Sequence, residues 1–121
     1  MDVHTMLRTA VVLLAITAVG GLLMAGIRFS GRPHPPTIIT MVHGLLAASG
    51  LTLLLYAAFT AGLPGSGWIG LVLILGAVLG GLMLNLGYHW KNLPLPIWLV
   101  MVHGAVAAVG LVVVAIAVWG G

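Results

Sequence analysis

The sequence predicts an all-α transmembrane protein: an up-down-up-down four-helix bundle made of two repeated helical hairpins. Three observations predict it. Of 121 residues, 62% are apolar and only 4% are charged, against roughly 25% charged in a soluble domain. Pro/Gly-rich punctuation divides the chain into four apolar runs, each close to the roughly 20 residues a helix needs to cross the hydrocarbon of a bilayer. The chain also repeats itself at an offset of 60 residues. The same composition excludes a soluble globular domain and a disordered chain, which needs low hydrophobicity and high charge. It also excludes nucleic-acid binding: the net charge of +3 rests on Arg8, Arg28, Arg32 and Lys91 against Asp2, too few cations to release many phosphate counterions.

The first run covers residues 5–29 and is broken by Ser30-Gly31-Arg32-Pro33-His34-Pro35-Pro36. The second covers 37–61 and ends at Gly62-Leu63-Pro64-Gly65-Ser66-Gly67. The third, 68–90, is separated from the fourth, 97–119, by Lys91-Asn92-Leu93-Pro94-Leu95-Pro96. Pro36 and Pro96 fall at first-turn positions, where a missing N–H costs nothing. Residues 1–121 therefore read as one transmembrane domain with short loops and no separate soluble domain. Trp68, Trp90, Trp98 and Trp119 fall at helix ends and suit an aromatic belt.

Residues 11–61 align with 71–121 without a gap. Met41-Val42-His43-Gly44 recurs as Met101-Val102-His103-Gly104, and Gly20-Gly21-Leu22 as Gly80-Gly81-Leu82. Pro36 matches Pro96, Ala47-Ala48 matches Ala107-Ala108, and Gly50-Leu51 matches Gly110-Leu111. Two spans per unit make the copies parallel in the membrane. The first helix is the counterpart of the third, so it reads as a structural span and not as a cleaved signal.

There is no cysteine, which excludes thiolate metal sites, iron–sulfur clusters and thioether-linked haem. Metal chemistry must use histidine. His43 and His103 each lie seven residues beyond a proline, roughly 10 Å along the helix at 1.5 Å per residue. In a sequential bundle the second and fourth helices are diagonal, so two imidazoles at equal depth can face each other. An intramembrane ionisable side chain is costly and is a functional candidate by default. Around the histidines the ligand helices carry little bulk: Gly44, Ala47 and Gly50, and their counterparts Gly104, Ala107 and Gly110. Counting back across each loop puts Gly21 and Gly81 level with the histidines, with Gly20 and Gly80 beside them. Helix packing of the small-xxx-small kind, with histidines as interhelical hydrogen-bond donors, explains each feature singly. It does not explain why both glycine pairs fall at histidine depth. One haem b explains all of it, with His43 and His103 as axial ligands. Gly20, Gly21, Gly80, Gly81, Gly44, Gly104, Ala47 and Ala107 would line its slot. Arg28, Arg32 and Lys91 would stand near its propionates, with Asn85 and Tyr88 on the same side; His34 and His89 read as interfacial residues there, with a quinone or proton site as the alternative. Met41 and Met101 read as packing residues, and His4 as idle.

Paired histidines on helices two and four, with glycines at the same depth on helices one and three, resemble the b-haem four-helix core of membrane cytochromes b and related bis-histidine cytochromes. The resemblance covers the architecture of the whole chain and rests on His43, His103, Gly20, Gly21, Gly80 and Gly81. It implies a non-covalent haem that shuttles single electrons, with quinol, a redox protein or superoxide as partner and the lipid bilayer as solvent. Many such cytochromes stack two haems on a second pair of histidines. Residues 51–61 and 111–119 contain none, so the expected count is one haem near one face. Two other classes stay open: a cofactor-free accessory subunit, and a small transporter, although no intramembrane Asp or Glu is present. The excess of Arg and Lys on loops 1–2 and 3–4 predicts that these loops are cytoplasmic. The Ala/Gly/Val-rich composition points to a bacterial inner membrane, and a homodimer is compatible with the sequence.

Overall fold

The computed structural model describes residues 2–120. It contains α1 (Val3–Phe29), α2 (Thr37–Ala61), α3 (Gly67–Leu84) and α4 (Ile97–Gly120). A single π-helical turn, Asn85–His89, extends α3. All four helices are long and apolar enough to cross a bilayer, with mean hydropathy of 2.4, 2.0, 2.4 and 2.6 in chain order. Between 11% and 22% of each span is buried inside the protein. The outward faces are thus as apolar as the interior, and Leu22, Ile38 and Phe59 are 75%, 70% and 77% exposed. In water such surfaces would aggregate; in hydrocarbon they are solvated, while each helix satisfies its own backbone hydrogen bonds.

The caps follow local chemistry. Asp2 accepts from the Thr5 N–H at 2.9 Å and from its hydroxyl at 3.0 Å, satisfying donors that the first turn of α1 leaves orphaned. α2 starts after Pro36, whose carbonyl accepts from Thr40 N–H. The two loops at one end are tied together: Leu95 N–H donates to Pro33 O at 2.9 Å, and Arg28 Nε donates to Leu95 O at 2.8 Å. Asn92 has φ of 55°, a left-handed conformation that Asn tolerates better than most residues.

Each helix packs mainly on its hairpin partner, α1 on α2 and α3 on α4. α1 also packs along α4, α2 touches α3 more briefly, and neither α1 with α3 nor α2 with α4 is in backbone contact among the described residues. This is the sequential arrangement, with α2 and α4 on a diagonal. The main core lies at the end of the bundle holding the chain termini: Leu7, Ala10, Leu14, Leu54, Ala57, Leu71, Ile74 and Val114 are all buried there. The helices approach closely through glycine. A Cβ at Gly70 would lie 2.5 Å from Val114 Cγ2, and one at Gly50 would lie 2.9 Å from Leu14 Cγ. At Gly110 it would lie 3.0 Å from Leu73 Cβ. The small residues one and two turns beyond the histidines therefore leave no void at Gly50 and Gly110, because α1 and α3 close onto them. A smaller cluster of Leu84, Leu95 and Leu99 sits at the loop end.

The repeat is written into the packing. Residues 10–23 and 40–60 have, position for position, the same buried, half-buried or exposed state as residues 70–83 and 100–120.

Candidate functional site

His43 and His103 meet across the diagonal. Their ring centroids are 6.4 Å apart and their planes stand at 74°. Each ring is fixed in the same way by the other helix of its own hairpin. His43 Nδ1 lies 2.9 Å from Thr17 O, and His103 Nδ1 lies 2.7 Å from Ala77 O. Thr17 and Ala77 are themselves 60 residues apart. A carbonyl cannot donate, so each Nδ1 carries the hydrogen. In the neutral ring that leaves Nε2 as the nitrogen with a lone pair, the one that can ligate a metal. Neither Nε2 is sealed off: among the described residues the buried side-chain N or O atom without a partner is Asn85 Oδ1.

The glycines sit against these rings. A Cβ at Gly21 would lie 3.1 Å from His43 Cε1, and one at Gly81 would lie 3.2 Å from His103 Cε1. Gly20 and Gly80 are next, at 3.8 and 3.5 Å from the two Nδ1 atoms. The level assigned by counting across the loops is thus the level observed, and it has an added reason: the glycine backbone seats the imidazole. Ala47 and Ala107 are half-buried, one turn further along the ligand helices. Gly44 and Gly104 are exposed, and a Cβ on either would meet nothing within 4 Å; they are not gathered into the group around the rings. His43 also forms part of the floor, with Thr17 and Gly20, of an apolar groove of about 340 Å³ between α1 and α2, walled by Ile16, Val19, Leu23, Ile38, Val42 and Leu46.

At the loop end Arg28 is half-buried and clamps Leu95 O, while Arg32 and Lys91 are exposed. His34 and His89, unrelated by the repeat, stack face to face with centroids 4.3 Å apart. Sequence reasoning placed both at this interface but did not pair them. It also missed the Thr17 and Ala77 carbonyls, which lie one helical turn before Gly21 and Gly81 and 26 residues from each histidine. The hydroxyls of Thr37 and Thr40 near His89 carry no sequence signal of their own. Met41 and Met101 are 46% and 59% exposed, facing away from the core.

Comparison of the chain with protein-family models, curated proteins and solved structures found no match. The site must be read from its own chemistry. Two imidazoles bonded to one metal from opposite sides at about 2.0 Å, with ring centres roughly 1 Å behind each nitrogen, would lie about 6 Å centre to centre. The observed 6.4 Å fits such a pair. A bare divalent ion is a poor occupant, because two neutral ligands leave its coordination incomplete and its charge uncompensated in an apolar interior. No group of three or more His, Cys, Asp or Glu that could hold a metal occurs among the described residues. A tetrapyrrole brings four more nitrogens and its own negative charge, so the residues present fit that group better than a free ion.

Proposed function

We propose that this protein is a membrane b-type cytochrome that holds one non-covalent haem between His43 and His103 and passes single electrons. The observation that supports the reading is the 6.4 Å spacing of the two rings, with each Nδ1 committed to Thr17 O or Ala77 O and the second nitrogen of each ring left without a partner. Histidines that only glue helices need the Nδ1 bonds and not this spacing. When bound, haem supplies the redox couple; the chain supplies the ligands, their tautomer and their orientation. Thr17 and Ala77 raise the basicity of the ligand nitrogens by accepting from the opposite side of each ring. Gly21 and Gly81 fix where the rings stand. Arg28, Arg32 and Lys91 place positive charge at the loop end, where the carboxylates of a haem would be met, and the same excess of Arg and Lys supports a cytoplasmic position for that end in a bacterial inner membrane. With both ring nitrogens engaged, a haem held here would exchange single electrons with an outside partner, taking them from a quinol or a redox protein or giving them to a quinone, and would not bind oxygen itself.

The test is the visible spectrum of protein purified from haem-supplemented cells. The expected result is a low-spin bis-histidine spectrum that is lost in His43→Ala and in His103→Ala and kept in His4→Ala. Colourless wild-type protein refutes the proposal. So does a spectrum that survives both core substitutions and disappears with His34→Ala or His89→Ala.

A further inference from the structure

The internal symmetry fails at one end of the bundle, and it fails around two histidines. Every position at which burial differs between residues 10–60 and 70–120 lies within 24–39 or 84–99. Phe29 is 49% exposed, whereas His89, 60 residues on, is 7% exposed. The π-helical turn Asn85–His89 has no counterpart in α1; such turns re-aim the side chains that follow and occur often at functional sites.

His89 is bracketed by α2. Its Nε2 lies 3.4 Å from Thr37 Oγ1 and its Nδ1 lies 3.5 Å from Thr40 Oγ1. Thr40 Oγ1 donates its hydrogen to Pro36 O at 3.3 Å, so toward His89 it can only accept, and Nδ1 carries the ring hydrogen. Nε2 then accepts from the hydroxyl of Thr37, an exposed residue. The chain of partners runs from loop-side water through Thr37 and His89 to Thr40, which precedes His43 by three residues on α2 and shares its side of the helix. The ring of His34 covers one face of His89 with planes 24° apart.

We propose that the stacked pair of His89 and His34 takes up one proton when the His43–His103 centre gains an electron. This rests on the haem reading above. The electron comes from an outside one-electron reductant. The proton comes from loop-side solvent: Thr37 passes its hydroxyl hydrogen to His89 Nε2 and regains one from a hydronium, which leaves as water, so the breaking and forming O–H bonds balance and His89 ends with both nitrogens protonated. One electron and one proton enter, and the net charge of the loop half of the bundle is unchanged. The pair loads one proton and not two, because a second charge 4.3 Å away would repel the first. At the same end of the bundle stand Arg28 on α1, Arg32 on the first loop, and Tyr88 and Lys91 at the end of α3 and on the loop after it, while α2 and α4 carry His43 and His103 further along; the ionisable ring that touches His89 is that of His34. The one acid in the sequence, Asp2, caps the opposite end of α1, so no carboxylate competes for the proton. Burial of His89, which is 7% exposed, opposes a positive charge at the stack, and an electron arriving on the centre offsets that cost.

The experiment is a spectroelectrochemical titration of the purified haem-loaded protein over a range of pH. The expected midpoint potential falls as pH rises, approaching about 59 mV per pH unit, the limit for one proton per electron. His89→Gln keeps the bis-histidine spectrum and flattens the slope. His34→Gln, at a half-buried loop position, keeps the spectrum and moves the pH range in which the slope appears. His4→Gln changes neither. A pH-independent potential in the wild type overturns the proposal, as does an unaltered slope in both His89→Gln and His34→Gln with their haem bands intact. Wild-type protein with no Soret band overturns the haem reading itself and this inference with it.

Discussion

Substituting Gly21 tests whether the imidazole positions matter to the site, and the structure sets the size of the effect. A Cβ there would lie 3.1 Å from His43 Cε1, several tenths of an ångström inside an ordinary carbon–carbon contact of about 3.5–4.0 Å. The ring must retreat by about half an ångström. It is held by its 2.9 Å bond to Thr17 O, and a retreat of that size stretches and weakens the bond, at a net cost of up to about 0.5–1.5 kcal/mol. Overpacking adds about 1 kcal/mol or more. Gly21→Ala should therefore weaken haem binding by roughly 1.5–2.5 kcal/mol, a factor of about 10–70. Gly21→Leu, whose side chain has to enter the space of the ring, should abolish it. The assay is absorbance titration of haem into the haem-free protein, with membrane yield measured on the same preparations. Gly26→Ala is the control, because a Cβ there meets nothing within 4 Å. Wild-type affinity in Gly21→Leu would refute the reasoning. Equal loss of yield and of haem would show that Gly21 serves helix packing and not the seat of His43.

Three further outcomes follow from the geometry. Gly70→Ala puts a Cβ 2.5 Å from Val114 Cγ2 and 2.9 Å from Val114 N, so it should destabilise the bundle by about 1–3 kcal/mol; a lowered thermal midpoint in detergent checks this, and Val114→Ala in the same chain should restore only part, since the backbone contact remains. Arg28→Gln removes a charge-assisted bond to Leu95 O worth about 1.5–3 kcal/mol, and the two loops should become sensitive to protease with the helices still inserted. The Asp2 carboxyl is held below the usual carboxylate range by the Thr5 backbone N–H and then by its hydroxyl. Its contribution is present above the usual range and lost as pH falls through the lowered value, so amide protection in the first turn of α1 should decline in acid, while Asp2→Asn should remove that pH dependence.

The helices and their order were legible because membrane spans announce themselves by length and composition, and punctuation by Pro and Gly fixed all four to within a few residues. The level of Gly21 and Gly81 was legible because two helices joined by a short loop run antiparallel at equal rise per residue. The orientation of the rings was not. It depends on backbone carbonyls at Thr17 and Ala77, and every residue has a carbonyl, so nothing in residue type marks these two. The stack of His34 on His89 was hidden for another reason: a π-helical turn changes the angular register of everything after Leu84, and a count based on 3.6 residues per turn cannot foresee it. Gly50 and Gly110 read as part of an open histidine face because their helix position alone was known. That Leu14 and Ile74 reach in to fill the space is a property of the neighbouring helices.

The two ends of the bundle divide the work of folding and of the site. The end with the termini is closed by interlocked small and branched residues: Gly50 under Leu14, Gly70 against Val114, Gly110 under Ile74. Lipid tails are as apolar as these side chains, so no hydrophobic drive brings the helices together there; close van der Waals packing has to do it. The loop end is tied by polar links instead, Arg28 to Leu95 O and Leu95 N–H to Pro33 O. Between them, the level of His43 and His103 holds few buried side chains, Thr17 and Ala77 among them, and the two histidines are half-buried. A bundle pinned at both ends can keep its middle from collapsing, and that is the condition under which two histidines on diagonal helices stay far enough apart to admit an atom between them. On this argument Gly50→Leu and Gly110→Leu, far from the rings, should splay the terminal end and loosen the pair. A fall in haem affinity that exceeds that of Gly26→Leu, with the ligands untouched, is the expected result. Wild-type affinity in both variants would mean that the loop end alone sets the spacing of the histidines.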